Sequence, residues 1–267
     1  MEHIAQLVRD RRSVRSFSDR PIEREILAQG TAFMNQIKNP YGIPVRFVLL
    51  NAKEHGLSCP VISGGDWYIC AAAERVPHGE EAFGYAFEQL VLYAQSHGLG
   101  TTWIGGTMNR GLFERAMQLQ VGEGMLCITP LGYPAEKMSL REVMMRKGTK
   151  ADARNDFEAL FFDGSFAKPL TKARAGRLAK PLELVRLAPS AVNKQPWRVV
   201  VTDSAVHFYV KKAKGAAVGS MQKIDMGIAL CHFALGAEEC GVAAEFALCD
   251  PQLGGADAEY IASYLLR

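Results

Sequence analysis

Apolar residues recur along this chain at two spacings, and the places where one spacing gives way to the other mark its elements. Ile4, Leu7 and Val8 line one face of a short amphipathic helix that ends near Arg11. A longer helix is expected at residues 21–36, opened by Ser18 or Asp19 as its cap, and a strand at 44–50. Another helix is expected at 82–97, stopped at Gly98. The outline then returns. A helix around 181–187 is cut at Pro189, a strand follows at 196–201, and a helix at 225–240 stops at Gly241.

Laid over each other, the two outlines pair Pro44 with Pro196, Arg46 with Arg198 and Val48 with Val200 at an offset of 152. The helix-ending glycines pair at an offset of 143, and surface loops tolerate a difference of that size. The expectation is a mixed α and β chain of two related halves, 1–160 and 161–267, that pack as one unit.

Composition narrows the function classes more than it names one. At 267 residues, 48% apolar and 22% charged, the chain can bury a sizeable core. Its 31 Lys and Arg stand against 28 Asp and Glu, a net charge of +3 spread too evenly to favour nucleic acid. No uncharged apolar run approaches the ~20 residues of a membrane span, and Met1-Glu2-His3-Ile4 lacks the layout of a signal peptide. A cytoplasmic protein without a membrane partner is expected. The six cysteines include no Cys-x-x-Cys and read as buried reduced thiols. The six histidines include no His-x-x-x-His, so no metal is expected.

Two stretches carry polarity that a packed core does not require. The first is Arg11-Arg12-Ser13-Val14-Arg15-Ser16-Phe17, directly after the first helix. Arginine forks suit phosphate oxygens and Ser13 adds a donor, although arginines there also complement a helix C-terminus. The second is Ala188-Pro189-Ser190-Ala191-Val192-Asn193-Lys194-Gln195-Pro196-Trp197. Small Ser190 and Ala191 let backbone approach a flat ring, and Asn193 and Gln195 offer amide donors and acceptors. Asn and Gln before a strand also serve as ordinary turn residues. Trp197 reads as packing. The first half has lost the polar loop, with Lys38, Tyr41 and Ile43 at the paired positions, and the second half reads Phe161-Phe162-Asp163-Gly164-Ser165-Phe166 where a basic motif would stand. Each half keeps what the other lacks, which leaves parts for one site.

Together these motifs resemble the nitroreductase family, specifically its single-chain, internally duplicated branch. Gly98-Leu99-Gly100-Thr101-Thr102-Trp103-Ile104-Gly105-Gly106 resembles the family's segment that lies along the flavin, which assigns Trp103, Ile104, Gly105 and Gly106 to the cofactor and the Gly105 and Gly106 backbone to the neighbourhood of flavin N5. Its glycine spacing is not that of a Rossmann fingerprint. Leu131-Gly132-Tyr133-Pro134 resembles the ending of the family's last core strand. Arg154-Asn155-Asp156-Phe157-Glu158-Ala159-Leu160 resembles its closing stretch, which carries a flavin-phosphate role to Arg154, with Lys137 or Lys150 as substitutes.

The resemblance implies an α+β fold, mostly antiparallel sheets wrapped by helices, with the halves forming a pseudo-dimer. It implies FMN bound by Arg11, Arg12, Ser13, Arg15, Pro189, Ser190, Ala191, Asn193 and Gln195 as well as the residues just named. NAD(P)H is the implied electron donor, and a nitro-aromatic, quinone or similar small molecule the acceptor, in a site complete within one chain. No essential side-chain acid, base or nucleophile is implied, because the cofactor carries the chemistry. A non-catalytic flavin sensor or carrier, or a scaffold without flavin, stand as alternatives.

Overall fold

The computed structural model describes residues 1–212, 217–254 and 257–267. The chain divides into two compact units, one of residues 10–151 with Met1 and one of residues 152–267 with Glu2–Arg9. The division expected after residue 160 thus falls earlier. The reason is hydrogen bonding: Asn155 N–H donates to Gln195 Oε1 (2.8 Å) and Asn193 Nδ2 donates to the Ala153 carbonyl (3.0 Å), which ties 153–155 to the second unit. Residues 4–9 of the first helix, α1 (Ile4–Asp10), also fall there, with Ala5 N–H donating to Glu239 (3.1 Å).

The first unit contains α2 (Arg24–Met34), β1 (Val45–Asn51), α3 (Ala52–His55), β2 (Trp67–Glu74), α4 (Gly79–Ser96), α5 (Arg110–Ala116), β3 (Glu123–Leu131) and α6 (Leu140–Gly148). Its sheet is antiparallel in the order β1-β2-β3. Central β2 has no clear signal in the sequence, because Cys70-Ala71-Ala72-Ala73 is buried on both faces and alanine is a weak strand former. Those small side chains let α4 lie close on one face, where Phe87 stacks over Phe47 at 6.0 Å. The other face packs Tyr68, Cys70 and Ala72 against Phe113, Met117 and Ile128. Ser18 and Asp19 do not cap α2. Ser18 N–H is bound to the Tyr133 carbonyl (2.9 Å), so the chain is still laced to the end of β3 there, and Glu23 takes the cap position.

The second unit contains α7 (Phe157–Leu160), β4 (Phe161–Asp163), α8 (Lys172–Ala175), α9 (Ala179–Leu187), β5 (Trp197–Val201), β6 (Ala205–Lys211), α10 (Ser220–Glu239), β7 (Ala244–Ala247) and β8 (Ala258–Leu266). Its sheet runs β4-β5-β6-β8-β7, antiparallel except for the β4–β5 pair. Helix α9 packs on α10 through Gly236, where a Cβ would stand 2.9 Å from Leu184 and 3.1 Å from Pro181. The stretches paired in the sequence take like structures: β1 and β5 are strands, and α4 and α10 each end at a left-handed glycine, Gly98 (φ 71°) and Gly241 (φ 65°). Cys59, Cys70, Cys127 and Cys231 are buried, whereas Cys240 and Cys249 are exposed. Among the described residues, no helix is long and apolar enough to cross a membrane.

Candidate functional site

The basic motif runs in extended form across the first unit, fastened by its backbone. Val14 N–H donates to the Thr101 carbonyl (2.9 Å), Ser63 N–H to the Arg15 carbonyl (2.8 Å) and Phe17 N–H to the Ser63 carbonyl (2.8 Å). Two glycines make room for it. A Cβ on Gly100 would stand 2.8 Å from Val14, and one on Gly64 would stand 2.5 Å from the Phe17 carbonyl oxygen. The motif and the 98–106 segment, far apart in sequence, therefore become neighbours through the Ser13–Thr101 bridge.

The guanidinium groups meet two buried carboxylates that the sequence did not single out. Glu142, the third residue of α6, is 1% exposed; its N–H is capped by Ser139 Oγ (3.2 Å). One oxygen accepts from Arg12 Nη1 (3.4 Å) and the other from Arg15 N–H (3.1 Å). Glu88 of α4, fully buried, accepts from Trp103 Nε1 (3.1 Å). Arg11 is 9% exposed and its Nε is buried without a hydrogen-bond partner. Burial lowers the Arg11 pKa, an effect that Glu88 opposes and Arg146 reinforces. Arg15 is lowered for the same first reason, with Glu142 opposing and Arg146 again adding. A polar residue inside an otherwise apolar helix face was the signal available for Glu88; for Glu142 it was the Ser139 cap three residues earlier.

In the 98–106 segment, Trp103 packs edge-on against Phe87 (4.5 Å), and Ile104 is buried with both N–H and C=O bonded to Ile128 (2.9 and 3.0 Å). The Gly105 carbonyl accepts from Arg110 Nη2 (2.8 Å). Gly106 is different. Its φ is not left-handed and a Cβ there would meet nothing within 4 Å, so neither backbone conformation nor packing within the chain calls for glycine.

The polar loop of the second unit is a tight turn that consumes most of its own amide groups. Gln195 N–H donates to Ser190 Oγ (2.8 Å), and Asn193 N–H donates to the Ser190 carbonyl (3.0 Å). Gln195, 4% exposed, accepts from Asn155 N–H and donates to the Asn193 carbonyl (3.3 Å). Arg154 donates to the Leu187 carbonyl (3.2 Å) and to Asn193 Oδ1 (3.4 Å). Thus the structure gathers Arg154, Pro189, Ser190, Ala191, Asn193 and Gln195, and shows Arg154 and Gln195 as builders of the turn. Trp197 is fully buried, as its packing role requires. Lys137 and Lys150 belong to the first unit, with Lys150 at φ 48° just past α6.

A third buried carboxylate underlies that turn. Asp225 of α10 is 3% exposed; one oxygen accepts from Ala191 N–H (2.9 Å), and the other is buried without a partner. Desolvation pushes its pKa up to about 7, against the smaller opposing effects of the Ala191 hydrogen bond and the charge of Lys194.

Comparison with known proteins gives the family and the fold. A family model described as "Putative TM nitroreductase" matches residues 3–237. Among solved structures, a "putative nitroreductase (tm1586)" from Thermotoga maritima covers 98% of this chain and 92% of its own, with a TM-score of 0.64 at 20% identity. That likeness establishes the fold. A "Putative NADH dehydrogenase/NAD(P)H nitroreductase" from Bacteroides thetaiotaomicron covers 52% of this chain and 90% of its own (TM-score 0.44, 18% identity). An "FMN-dependent Nitroreductase" from Clostridium difficile covers 53% and 94% (TM-score 0.42, 18% identity). No curated protein matches the sequence.

Proposed function

The chain belongs to the TM nitroreductase family, and from that premise we propose that it is an FMN-dependent NAD(P)H oxidoreductase that reduces nitro-aromatic, quinone or similar acceptors. The observation that carries the reading is the charge around the basic motif. Arg11, Arg12 and Arg15 stand together at this motif, and burial disfavours the charged forms of Arg11 and Arg15, a cost that a bound anion would offset. A phosphate monoester near neutral pH carries roughly −1.5 to −2. A buried Arg11 Nε with no partner and a glycine at 106 that the chain itself does not need both suit a bound group with an anionic end and a flat face.

In this reading Arg11, Arg12, Ser13 and Arg15 hold the phosphate, with Trp103 and Ile104 positioning the Gly105 and Gly106 backbone along the ring. Ser190, Ala191 and Asn193 supply the second polar set, on a turn that Pro189, Gln195 and Arg154 shape. Bound there, FMN would supply the redox chemistry, with NAD(P)H as electron donor and a nitro-aromatic, quinone or similar molecule as acceptor. The residues bind, orient and exclude water, and none is required to move a proton. The two motif sets are complementary in type rather than duplicated, so one FMN per chain is expected.

Flavin released by denaturation should approach one equivalent per chain, and anaerobic NADH or NADPH should bleach the bound flavin. A ratio near two overturns the single-site reading. Bound flavin that neither nucleotide bleaches replaces the oxidoreductase with a flavin sensor or carrier.

A further inference from the structure

Within the second unit, the turn after Pro189 has a conformation that its residues do not favour. Val192 (φ 45°), Asn193 (φ 57°) and Gln195 (φ 49°) are all left-handed, and none is glycine. Asparagine tolerates that region; a β-branched valine rarely enters it. Such a turn persists only where its surroundings hold it. Part of the hold comes from Ser190 and from residues 153–155. A further part comes from below, where Asp225 receives the N–H of Ala191 at the first position of the turn.

We propose that Asp225 is a positioning residue for FMN binding: its carboxylate, through Ala191 N–H, holds the 190–195 turn in its binding shape, and protonation of that carboxylate loosens the hold. The proposal rests on the FMN reading above. A hydrogen bond to an ionised carboxylate is stronger than one to a neutral carboxyl, so a proton on the unpartnered oxygen weakens what the other oxygen accepts. The charge of Asp225 has little support nearby. Of the charged groups on elements packed against α10, Glu183 and Arg186 of α9 are paired with each other (2.6 Å), and Arg198 of β5 donates to the carbonyls of Gln195 and Trp197. His207 of β6 is bonded to Ser263 (2.7 Å). Lys194 of the turn itself is the cation whose charge acts on Asp225. Burial pushes this carboxylate, with its one backbone donor, up towards neutral pH at the place where the strained turn depends on it.

The test is FMN affinity against pH, from about 5.5 to about 8.5, for the full-length protein and for Asp225→Asn. The amide is isosteric with the protonated carboxyl and cannot ionise. The ratio of the variant's Kd to the parent's should be near one at the acid end and climb to about tenfold at the alkaline end, with its midpoint near 7. The phosphate of FMN titrates in this range too, but equally for both proteins, so it cancels in the ratio. A ratio that stays flat overturns the proposal and leaves the FMN reading standing; a parent that binds no FMN at any pH sinks that reading and this inference with it. If the amide variant does not fold, Asp225→Ser serves: its hydroxyl does not ionise, so the ratio of its Kd to the parent's should likewise climb through pH 7. A ratio that stays flat would overturn the proposal.

Discussion

The two motif-bearing segments are held by opposite means. Residues 11–17 lie extended in the first unit, fastened by backbone bridges, fitted against Gly64 and Gly100, and bonded to a carboxylate, Glu142, whose oxygens both have partners. Residues 189–197 in the second unit bend through left-handed valine, asparagine and glutamine over Asp225, whose second oxygen has none. The first arrangement makes room where the chain needs it and gives each oxygen of its buried carboxylate a partner. The second stores strain and an uncompensated carboxyl at the place assigned to ligand binding. Strain and a perturbed acid gathered in one turn are what a functional surface shows, and a segment chosen for stability alone would shed both.

The sharpest way to break this contrast is to measure what Asp225 does to stability. The unfolded chain gives up its proton near 3.8, whereas the fold keeps it to about 7. A raised folded-state pKa means that the contribution is full in acid, below about 3.8, and is lost as pH rises through 7. The size of that loss is on the order of 4 kcal/mol. Urea unfolding of the parent and of Asp225→Asn from pH 4 to 8 should therefore diverge, the variant gaining on the parent as pH rises. The same substitution would stabilise the fold and weaken FMN binding over one pH range. Parallel pH profiles for the two proteins would place Asp225 with Glu142, as a compensated acid.

Glu142 should behave in the opposite sense. Glu142→Ala leaves the Arg15 N–H and the Arg12 guanidinium without their acceptor, and should cost roughly 2–3 kcal/mol. The cost stays below that of a fully buried pair because the Arg12 side chain is 38% exposed. Glu142→Gln, which keeps an acceptor oxygen and the shape, should lose about 1 kcal/mol. A loss under about 0.5 kcal/mol for the alanine variant would reduce the pair to an ordinary surface contact.

How much of this was legible beforehand follows the same division. The helix ends at Gly98 and Gly241 and strands β1 and β5 were readable because their signals are local: a left-handed glycine, an alternating run, a proline before it. Strand β2 was not, since an alanine run becomes a strand only when Phe87 and its neighbours cover one face and Phe113 the other. The motif residues were readable by type. Their carboxylate partners were not, because Glu142 lies more than a hundred residues from Arg12 and Asp225 more than thirty from Ala191, and no spacing in the sequence announces either pair. By residue type alone, Asn193 and Gln195 are amides that a ligand could engage. The structure shows that much of their capacity is spent on one another and on residues 153–155, which a turn of three left-handed residues requires to stay closed.

The smallest expected effect tests the strain itself, separately from the acid below it. Val192 is 65% exposed, so replacing its side chain removes little packing. Its left-handed backbone costs roughly 1–2 kcal/mol for an L-residue, and glycine adopts it freely. Against that, glycine adds about 0.5–1 kcal/mol of unfolded-chain entropy. Val192→Gly should accordingly stabilise the protein by roughly 0.5 kcal/mol, a rise of about 1–2 °C in melting temperature for a chain of this size. Asn193→Gly should do the reverse. Asparagine already tolerates the left-handed region, and its amide bonds to Ala153, Arg154 and Gln195 would be lost. If both substitutions destabilise equally, the turn is held by side-chain contacts alone and Val192 stores no strain; if the glycine at 192 stabilises while that at 193 does not, the backbone of the turn is under tension and its side chains hold it closed.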